Sequence, residues 1–491
     1  MSNFIDFLNK TESEKIYLIE FKTAKKNGSV VEKTLYFGTH PKIFNGIYYI
    51  PCISGIPRLT RKIQSVFMGQ SMLSWGKITF NYIPTDYMDS GNSITFADFL
   101  LEWSVKGHDI TIKLGGDDLA YSDYGTVFSG KMDTIAWTER QITIAIYDIQ
   151  KKIKDIIVSS NTFTAGGNMP ERTVGKTKPL CFGYVKNITP VMINTNKKQY
   201  QVHDVEIGGA LEDITAVYDN GVSVTFTKQL SSGCFVTTNT PSGRVTCDVK
   251  GSQFSSVFQY TAGGIIEGLL LDPNAGGFEA SDIDSAMMTT FKSAIPYKLG
   301  AYFSKSTSLL KIFDTLIAGL PVWYGFSRSG KFQIAEFTEP TGTAIGEITD
   351  FEIIANSFKA DIEKTLYWKI IQGYARDYSF RAQYSYETPY AYEIVSDPDI
   401  TDLYLNATIW DYVKSEMYES TDAATVAQKW LDLLGEKRII ISITCKSILF
   451  QYEMGDIIQV NSEKLSINQK FCIIGLEENY IKNTIRLTLW G

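Results

Sequence analysis

Apolar positions in this chain recur mostly with a period of two, broken by short polar turns; only a few stretches repeat at three to four. The clearest alternation closes the chain. From Phe471 the chain alternates up to Tyr480, crosses a polar turn, and returns through Ile485, Leu487 and Leu489 to Trp490. Phe128 to Trp137 leads in the same way into Ile142, Ile144 and Ile146. The two hairpins overlay without a gap: Phe128 on Phe471, Trp137 on Tyr480, and the three isoleucines on Ile485, Leu487 and Leu489. A spacing of two places each apolar set on one face of a strand. The order before each hairpin is expected to match as well. A helix carrying Phe96, Phe99, Leu100 and Trp103 and a strand at 108–114 precede the first. A helix carrying Ala427, Trp430, Leu431 and Leu434, ended by Gly435, and a strand at 439–445 precede the second. The pattern predicts two copies of one helix-plus-barrel unit, with convergent packing of amphipathic hairpins as the alternative.

Between the repeats the cadence changes twice. Residues 159–178 form a linker rich in Ser, Thr, Asn and Gly, and 180–249 carry seven short strands with a hairpin turn at Asp219-Asn220-Gly221. From 263 onward the pattern predicts a helix or strand at 265–271, a helix over 282–294 capped by Ser281, and a helix over 308–320 ended by Gly319 and Pro321. A hairpin around Ser329-Gly330 follows. The expected division is an N-terminal barrel, 1–158; an inserted β domain, 159–260; a small α/β module, 261–350; and a C-terminal barrel with its helix, 351–491. The fold class is therefore mainly β with an α+β insertion.

At 491 residues the chain exceeds one core. No stretch reaches the ~18 apolar residues of a membrane span. The first ten residues lack a secretory pattern, so accumulation in a cytoplasm is expected. A net charge of −7 argues against gripping phosphates through clustered Lys and Arg. The six cysteines, Cys52, Cys181, Cys234, Cys247, Cys445 and Cys472, form no C-x-x-C pair and read as reduced core residues; an iron–sulfur cluster built from four of them is the alternative. His40, His108 and His203 stand apart, and no phosphate loop or nucleophile elbow accompanies them. The carboxylate pairs Asp361 with Glu363 and Glu477 with Glu478, and the tyrosine run from Tyr367 to Tyr392, are the residues on which a glycosidase reading would rest. Interfaces and cores use tyrosine equally well. No catalytic, cofactor or metal residue is assigned.

Four stretches carry a family resemblance: 128–148; Pro179–Pro190 with Tyr200–Asp204 and Val217–Gly221; Ser308–Leu320 with Trp323–Gly330; and Met454–Val460 with the ending Leu487–Gly491. Together they resemble the hub proteins of bacteriophage tail tips and baseplates over most of residues 40–491. The resemblance implies two tail-tube-like barrels per chain and a homotrimeric, pseudo-sixfold ring that joins the tail tube to a central fibre or spike. Implied neighbours are the distal tail protein, the end of the tape measure protein, and a fibre, spike or receptor-binding protein. Genomic DNA would pass through the channel without specific binding, which the acidic balance suits. The expected interface residues, chosen on aromatic character, are Trp137, Tyr147, Tyr378, Tyr384, Tyr480 and Trp490. A carbohydrate-active tail component, either depolymerase or cell-wall hydrolase, is the main alternative. A cell-surface adhesin or a secretion-system part is a third, and the hub of a contractile injection machine would be physically equivalent.

Overall fold

In a computed structural model of the chain, residues 2–10, 14–63, 69–70, 75–81, 101–362, 365–379, 389–446, 450–479 and 482–491 are described. The chain is mainly β, in several sheets, with few helices.

The first sheet runs, strand by strand, Lys42–Phe44, Ile47–Pro51, Ser29–Gly38, Ile16–Asn27, Asp109–Gly115, Gly125–Trp137, Gln141–Asp148, Trp75–Asn81, Ile53–Gly55. Strand Ile47–Pro51 lies near one edge and Ile53–Gly55 at the other, yet only Cys52 separates them along the chain. A sheet whose far edges are joined by one residue must curl until they meet, so this sheet is a barrel. Its interior confirms the curl. Phe21, Phe37 and Phe80, from strands that are not all neighbours in the sheet, bring ring centroids within 5.1–6.2 Å of one another.

The second barrel orders Glu347–Thr349, Ile457–Ser462, Ile467–Asn479, Thr484–Trp490, Ile439–Lys446, Lys359–Ile362. Here too a short link, 350–358, joins the two edges, and Ile353 bridges Cys445 on the way. Five consecutive strands match between the barrels in position and antiparallel sense, centred on the two hairpins. Phe128 pairs across with Ile112 as Phe471 pairs with Ile458. The core positions Ile142, Ile144 and Ile146 face inward as Ile485, Leu487 and Leu489 do.

Two expectations about the repeat are corrected. The strand at 109–115 pairs with the first strand of its hairpin, whereas the strand at 439–446 pairs with the second strand of its own. The spatial counterpart of 109–115 is therefore 457–462, and that of 439–446 is 75–81. Of the helix expected in the first unit, Phe96, Phe99 and Leu100 lie outside the described residues, 101–102 are helical and Trp103 is not; in the second unit helix Ser420–Leu434 leads into 439–446. The gapless overlay also hides a slide in pairing. Ile144 faces Ile135, but Leu487 faces Leu476, two residues from the position the overlay assigns. The turns sit one residue apart on that overlay, and moving a turn by one shifts cross-strand partners by two. A shift of two keeps every side chain on its face.

The inserted β region places its strands close to the predicted seven, in two sheets. Gly300–Phe303, from beyond residue 260, extends one of them by pairing with Leu180–Ile188. In the α/β region, 262–271 is a helix capped by Thr261. The next helix is Ser285–Ala294, capped by Asp284 rather than Ser281, because residues 280–282 form a separate 3-10 turn. Helix Leu309–Ile317 is capped by Ser308 and buries Leu309, Ile312, Phe313, Leu316 and Ile317. A last sheet, Ala391–Ser396, Tyr367–Tyr374, Thr408–Val413, is covered by helix Ser420–Leu434, where Trp430 meets Trp410 at 5.1 Å. The Trp430 indole N–H also donates to the Gly319 carbonyl at 2.8 Å.

Candidate functional site

The two barrels are joined by one short strand. Leu59–Lys62 leaves the first barrel and pairs antiparallel with 475–478 of the second, Lys62 opposite Gly475 and Leu59 opposite Glu478. The hairpin strand 467–479 is longer than its neighbour 457–462, so its outer half has room for this added strand. Alternation sends Leu59 and Arg61 inward and Thr60 and Lys62 outward. Inward on the facing strand stand Leu476 and Glu478.

A buried arginine needs a partner, and Arg61 has two. It donates to Glu453 Oε2 at 2.6 Å and to Glu478 Oε1 at 3.4 Å. Arg328, from the turn between Val322–Phe326 and Phe332–Glu336, reaches the same carboxylates: Nε to Glu478 Oε1 at 2.7 Å, Nη2 to the same oxygen, and Nη1 to Glu453 at 3.3 Å. Glu478 is 0% exposed and both arginines 7%. Two guanidiniums and two carboxylates cancel, which is the condition for holding Arg61, Arg328 and Glu478 out of water, while Glu453 stays partly exposed. Burial alone would raise the Glu453 carboxyl, but Arg328 and Arg61 outweigh it and hold it below the usual range. The cluster thus ties the first barrel, the α/β region and the second barrel at one point. A second tie binds the 367–413 sheet to the inserted β region. Arg376 donates to Glu416 at 2.6 Å, the Tyr378 hydroxyl donates to Glu416 at 2.9 Å, and Tyr302 N–H donates to the Tyr378 oxygen at 3.1 Å. Burial raises the Glu416 carboxyl against the pull of Arg376 and Tyr378.

The groups singled out for chemistry are otherwise engaged. His203 is fully buried; Nδ1 accepts from Cys181 N–H at 3.1 Å and Nε2 donates to the Ile207 carbonyl at 2.8 Å. Burial pushes its imidazole down to about 4. With both ring nitrogens committed to backbone, it has no free atom for a triad. Of the carboxylate pairs, Glu478 sits in the arginine cluster while Glu477 points the other way to Arg58 at 3.4 Å. Asp361 is exposed beside Lys359, and Glu363 lies outside the described residues. The six thiols are buried and unbridged, Cys52 between two strands and the other five each in a different strand, and among the described residues no three of His, Cys, Asp and Glu gather at metal-binding distance. A cleft of about 680 Å³ beside the 159–178 segment is lined by Arg172, Lys176, Arg244 and Lys305 and by no carboxylate.

Of the six expected interface residues four are described, each in its own surroundings. Trp137 is 53% exposed at the hairpin tip, and Tyr147 is half-buried with Lys151 over its ring at 5.1 Å. Tyr378 belongs to the Glu416 tie, and Trp490 is buried against Phe337 at 4.7 Å. Tyr384 and Tyr480 lie outside the described residues. Reading the sequence missed the arginine cluster. Its one signal was Arg61 at an inward position of an alternating run; Arg328 in a Ser-Arg-Ser-Gly turn carries none.

No family model matches the chain, and no curated protein matches it. Among solved structures it is similar to a 43 kDa tail protein of prophage MuSo2 from Shewanella oneidensis, at 10% identity and a TM-score of 0.43 over 97% of this chain and 98% of that one. It is likewise similar to a tail protein from Neisseria meningitidis MC58, at 8% identity and a TM-score of 0.40 over 96% of both chains. A third is prophage tail protein gp18 from Listeria monocytogenes EGD-e, at 9% identity and a TM-score of 0.39 over 96% of this chain and 94% of that one.

Proposed function

We propose that this chain is a structural component of a bacteriophage tail, the central hub of a tail tip or baseplate. In this reading its two barrels build a ring that joins the tail tube to a central fibre or spike. Three copies would present six barrels to a sixfold tube and threefold symmetry to the fibre, and the ring would bound the channel through which DNA leaves. The distal tail protein, the end of the tape measure and a fibre or receptor-binding protein would be the neighbours. What carries the reading is the joint itself: two barrels of matching strand order, fixed side by side in one chain by a shared strand and a neutral buried charge cluster. A chain that only needed two stable domains would not require them locked in one relative orientation; a ring segment does.

The reading assigns no catalysis. Its best-placed carboxylates and its buried histidine hold the fold together, and the 680 Å³ cleft offers cations without an acid–base pair. Imaging the purified protein by negative-stain electron microscopy tests the ring: particles with a central channel are expected, and isolated two-lobed particles at every concentration would contradict it. Incubation with purified bacterial envelope tests the absence of catalysis. Release of soluble sugar or peptide would overturn that part and favour the hydrolase.

A further inference from the structure

The chain holds 54 acids against 47 lysines and arginines, so a place where cations gather without acids runs against its balance. The cleft of about 680 Å³ beside the 159–178 segment is such a place. Arg172, Lys176, Arg244 and Lys305 line it, and among the described residues none of the four has a carboxylate partner. Lys178, two residues past Lys176, shows the usual arrangement, facing Asp204 and Glu206 at 3.7 and 3.8 Å. Arg244 is the most telling of the four. It is half-buried; its Nε and Nη2 donate to the Thr189 hydroxyl oxygen at 3.2 and 2.7 Å, and its Nη1 to the Ser379 carbonyl at 2.7 Å. These acceptors fix the guanidinium but are neutral, whereas a charge drawn out of water ordinarily meets an opposite charge. Burial and then the Asp219 charge raise the Tyr200 hydroxyl, and Arg172 pulls the other way, which brings its guanidinium within reach of that ring. Asp219 itself spends its carboxylate on Ser242 and Gly243, accepting from their N–H groups at 2.6 and 2.8 Å.

The backbone under these cations is anchored. The 3-10 turn Glu171–Thr173 is pinned by the Thr173 hydroxyl, which donates to the Met192 carbonyl at 3.0 Å. Phe163 closes the segment, accepting from Gly175 N–H at 2.8 Å and donating to the Lys176 carbonyl at 2.9 Å. The Lys305 carbonyl accepts from the Ser159 hydroxyl at 2.8 Å. Between the cations the lining changes character. Pro190, Val191 and Met192 supply apolar surface beside Tyr200, whose ring stacks on Phe235 at 5.3 Å. Thr177, Ser304 and Ser306 add hydroxyls. Cations for a negative charge, hydroxyls for hydroxyls and an apolar floor for the C–H face of a ring are together what a charged sugar requires. A bare inorganic anion needs only the first. The volume also lies within the roughly 300–1,000 Å³ of sites that enclose a small organic molecule.

We infer that this cleft binds an anionic sugar, a sugar unit carrying a phosphate or a carboxylate, with Arg172, Lys176, Arg244 and Lys305 meeting the charge. It is a site for binding and not for cleavage, since no carboxylate lines it to serve as acid or base. The inference stands apart from the ring reading, because the cleft belongs to the inserted region of one chain and needs no second copy.

Isothermal titration calorimetry on the full chain tests it, with glucose-6-phosphate, glucuronate, glucose and inorganic phosphate as probes. Saturable binding of glucose-6-phosphate or glucuronate is expected, weakening as salt rises. Affinity is expected to fall on the order of tenfold or more for glucose, for inorganic phosphate, and for the charged sugar in a Lys176→Ala, Lys305→Ala double variant. Both lysines are exposed, so the variant is expected to keep the wild-type circular dichroism and melting temperature; if it does not, Lys176→Gln replaces it under the same criterion. Saturable binding of neither charged sugar, or binding that the variant leaves unchanged, overturns the site. Inorganic phosphate bound as tightly as the charged sugar overturns the sugar and leaves a plain anion site. Tighter binding of oligothymidylate or of a polyglutamate peptide, lost in the variant, overturns the inference in favour of nucleic acid or an acidic segment.

Discussion

The buried arginine cluster makes the joint between the barrels measurable. Replacing Arg328 with Ala leaves Glu478, which has no exposure, with Arg61 at 3.4 Å as the remaining guanidinium of the cluster. It also deprives Glu453 of one of its two guanidiniums. Breaking a buried pair by removing one partner destabilises by about 3–5 kcal/mol, because the charge left behind is uncompensated. Arg328→Lys keeps the charge but loses the planar donor set that lets Nε and Nη2 meet one carboxylate oxygen, so a loss of about 1–2 kcal/mol is expected. A double variant, Arg328→Met with Glu478→Met, removes one charge of each sign and leaves Arg61 with Glu453. It should be more stable than the sum of the two single losses implies, with a coupling of about 2 kcal/mol or more. Urea denaturation followed by intrinsic fluorescence gives these differences, and hydrogen exchange shows whether strand 59–62 opens first. The reasoning is refuted if Arg328→Ala and Glu478→Gln each lose under about 1 kcal/mol, or if the double variant is simply additive.

Two further outcomes follow from single residues. His203 is neutral when folded, with its ionisation lowered to about 4 against an ordinary 6.5. The unfolded chain therefore binds the extra proton, and stability falls as pH drops from 6.5 towards 4, by roughly 3 kcal/mol; His203→Gln, whatever its own stability, should lose that slope, and an unchanged slope would remove the assignment. Gly183 has a φ of +63°, and a Cβ there would lie 1.9 Å from the Leu299 carbonyl oxygen. Gly183→Ala is accordingly expected to cost at least about 2 kcal/mol by thermal or chemical denaturation, through left-handed strain and displacement of the Gly300–Phe303 strand; wild-type stability would show that the backbone there relaxes freely.

What the sequence made legible was whatever periodicity controls. The alternation in both hairpins predicted their faces. Most of the short strands of 180–249 and the helices around Ile312 and Trp430 fell where the pattern and its caps placed them, while the run from Val222 to Thr227 divides into Val222–Ser223 and Phe226–Gln229 in two sheets. Pairing partners were less visible. A slide of two residues between hairpin strands leaves every face unchanged, so Ile144 opposite Ile135 and Leu487 opposite Leu476 read alike in sequence. The misplaced cap at Ser281 had a local cause, since Asp284 competes for the same role three residues on. The joint was hidden for a different reason. Leu59–Lys62 is four residues long, carries two basic residues, and pairs with a strand more than four hundred positions away. The charge cluster draws on four separate segments, and its members become recognisable only once Arg61, Arg328, Glu453 and Glu478 are in contact.

The most direct test of the account is the mass of the purified chain in solution, by light scattering across a range of concentrations. The account predicts a particle of about three chains of 55.1 kDa, appearing as concentration rises. A strict monomer at every concentration, or a particle that stops at two chains, would contradict it.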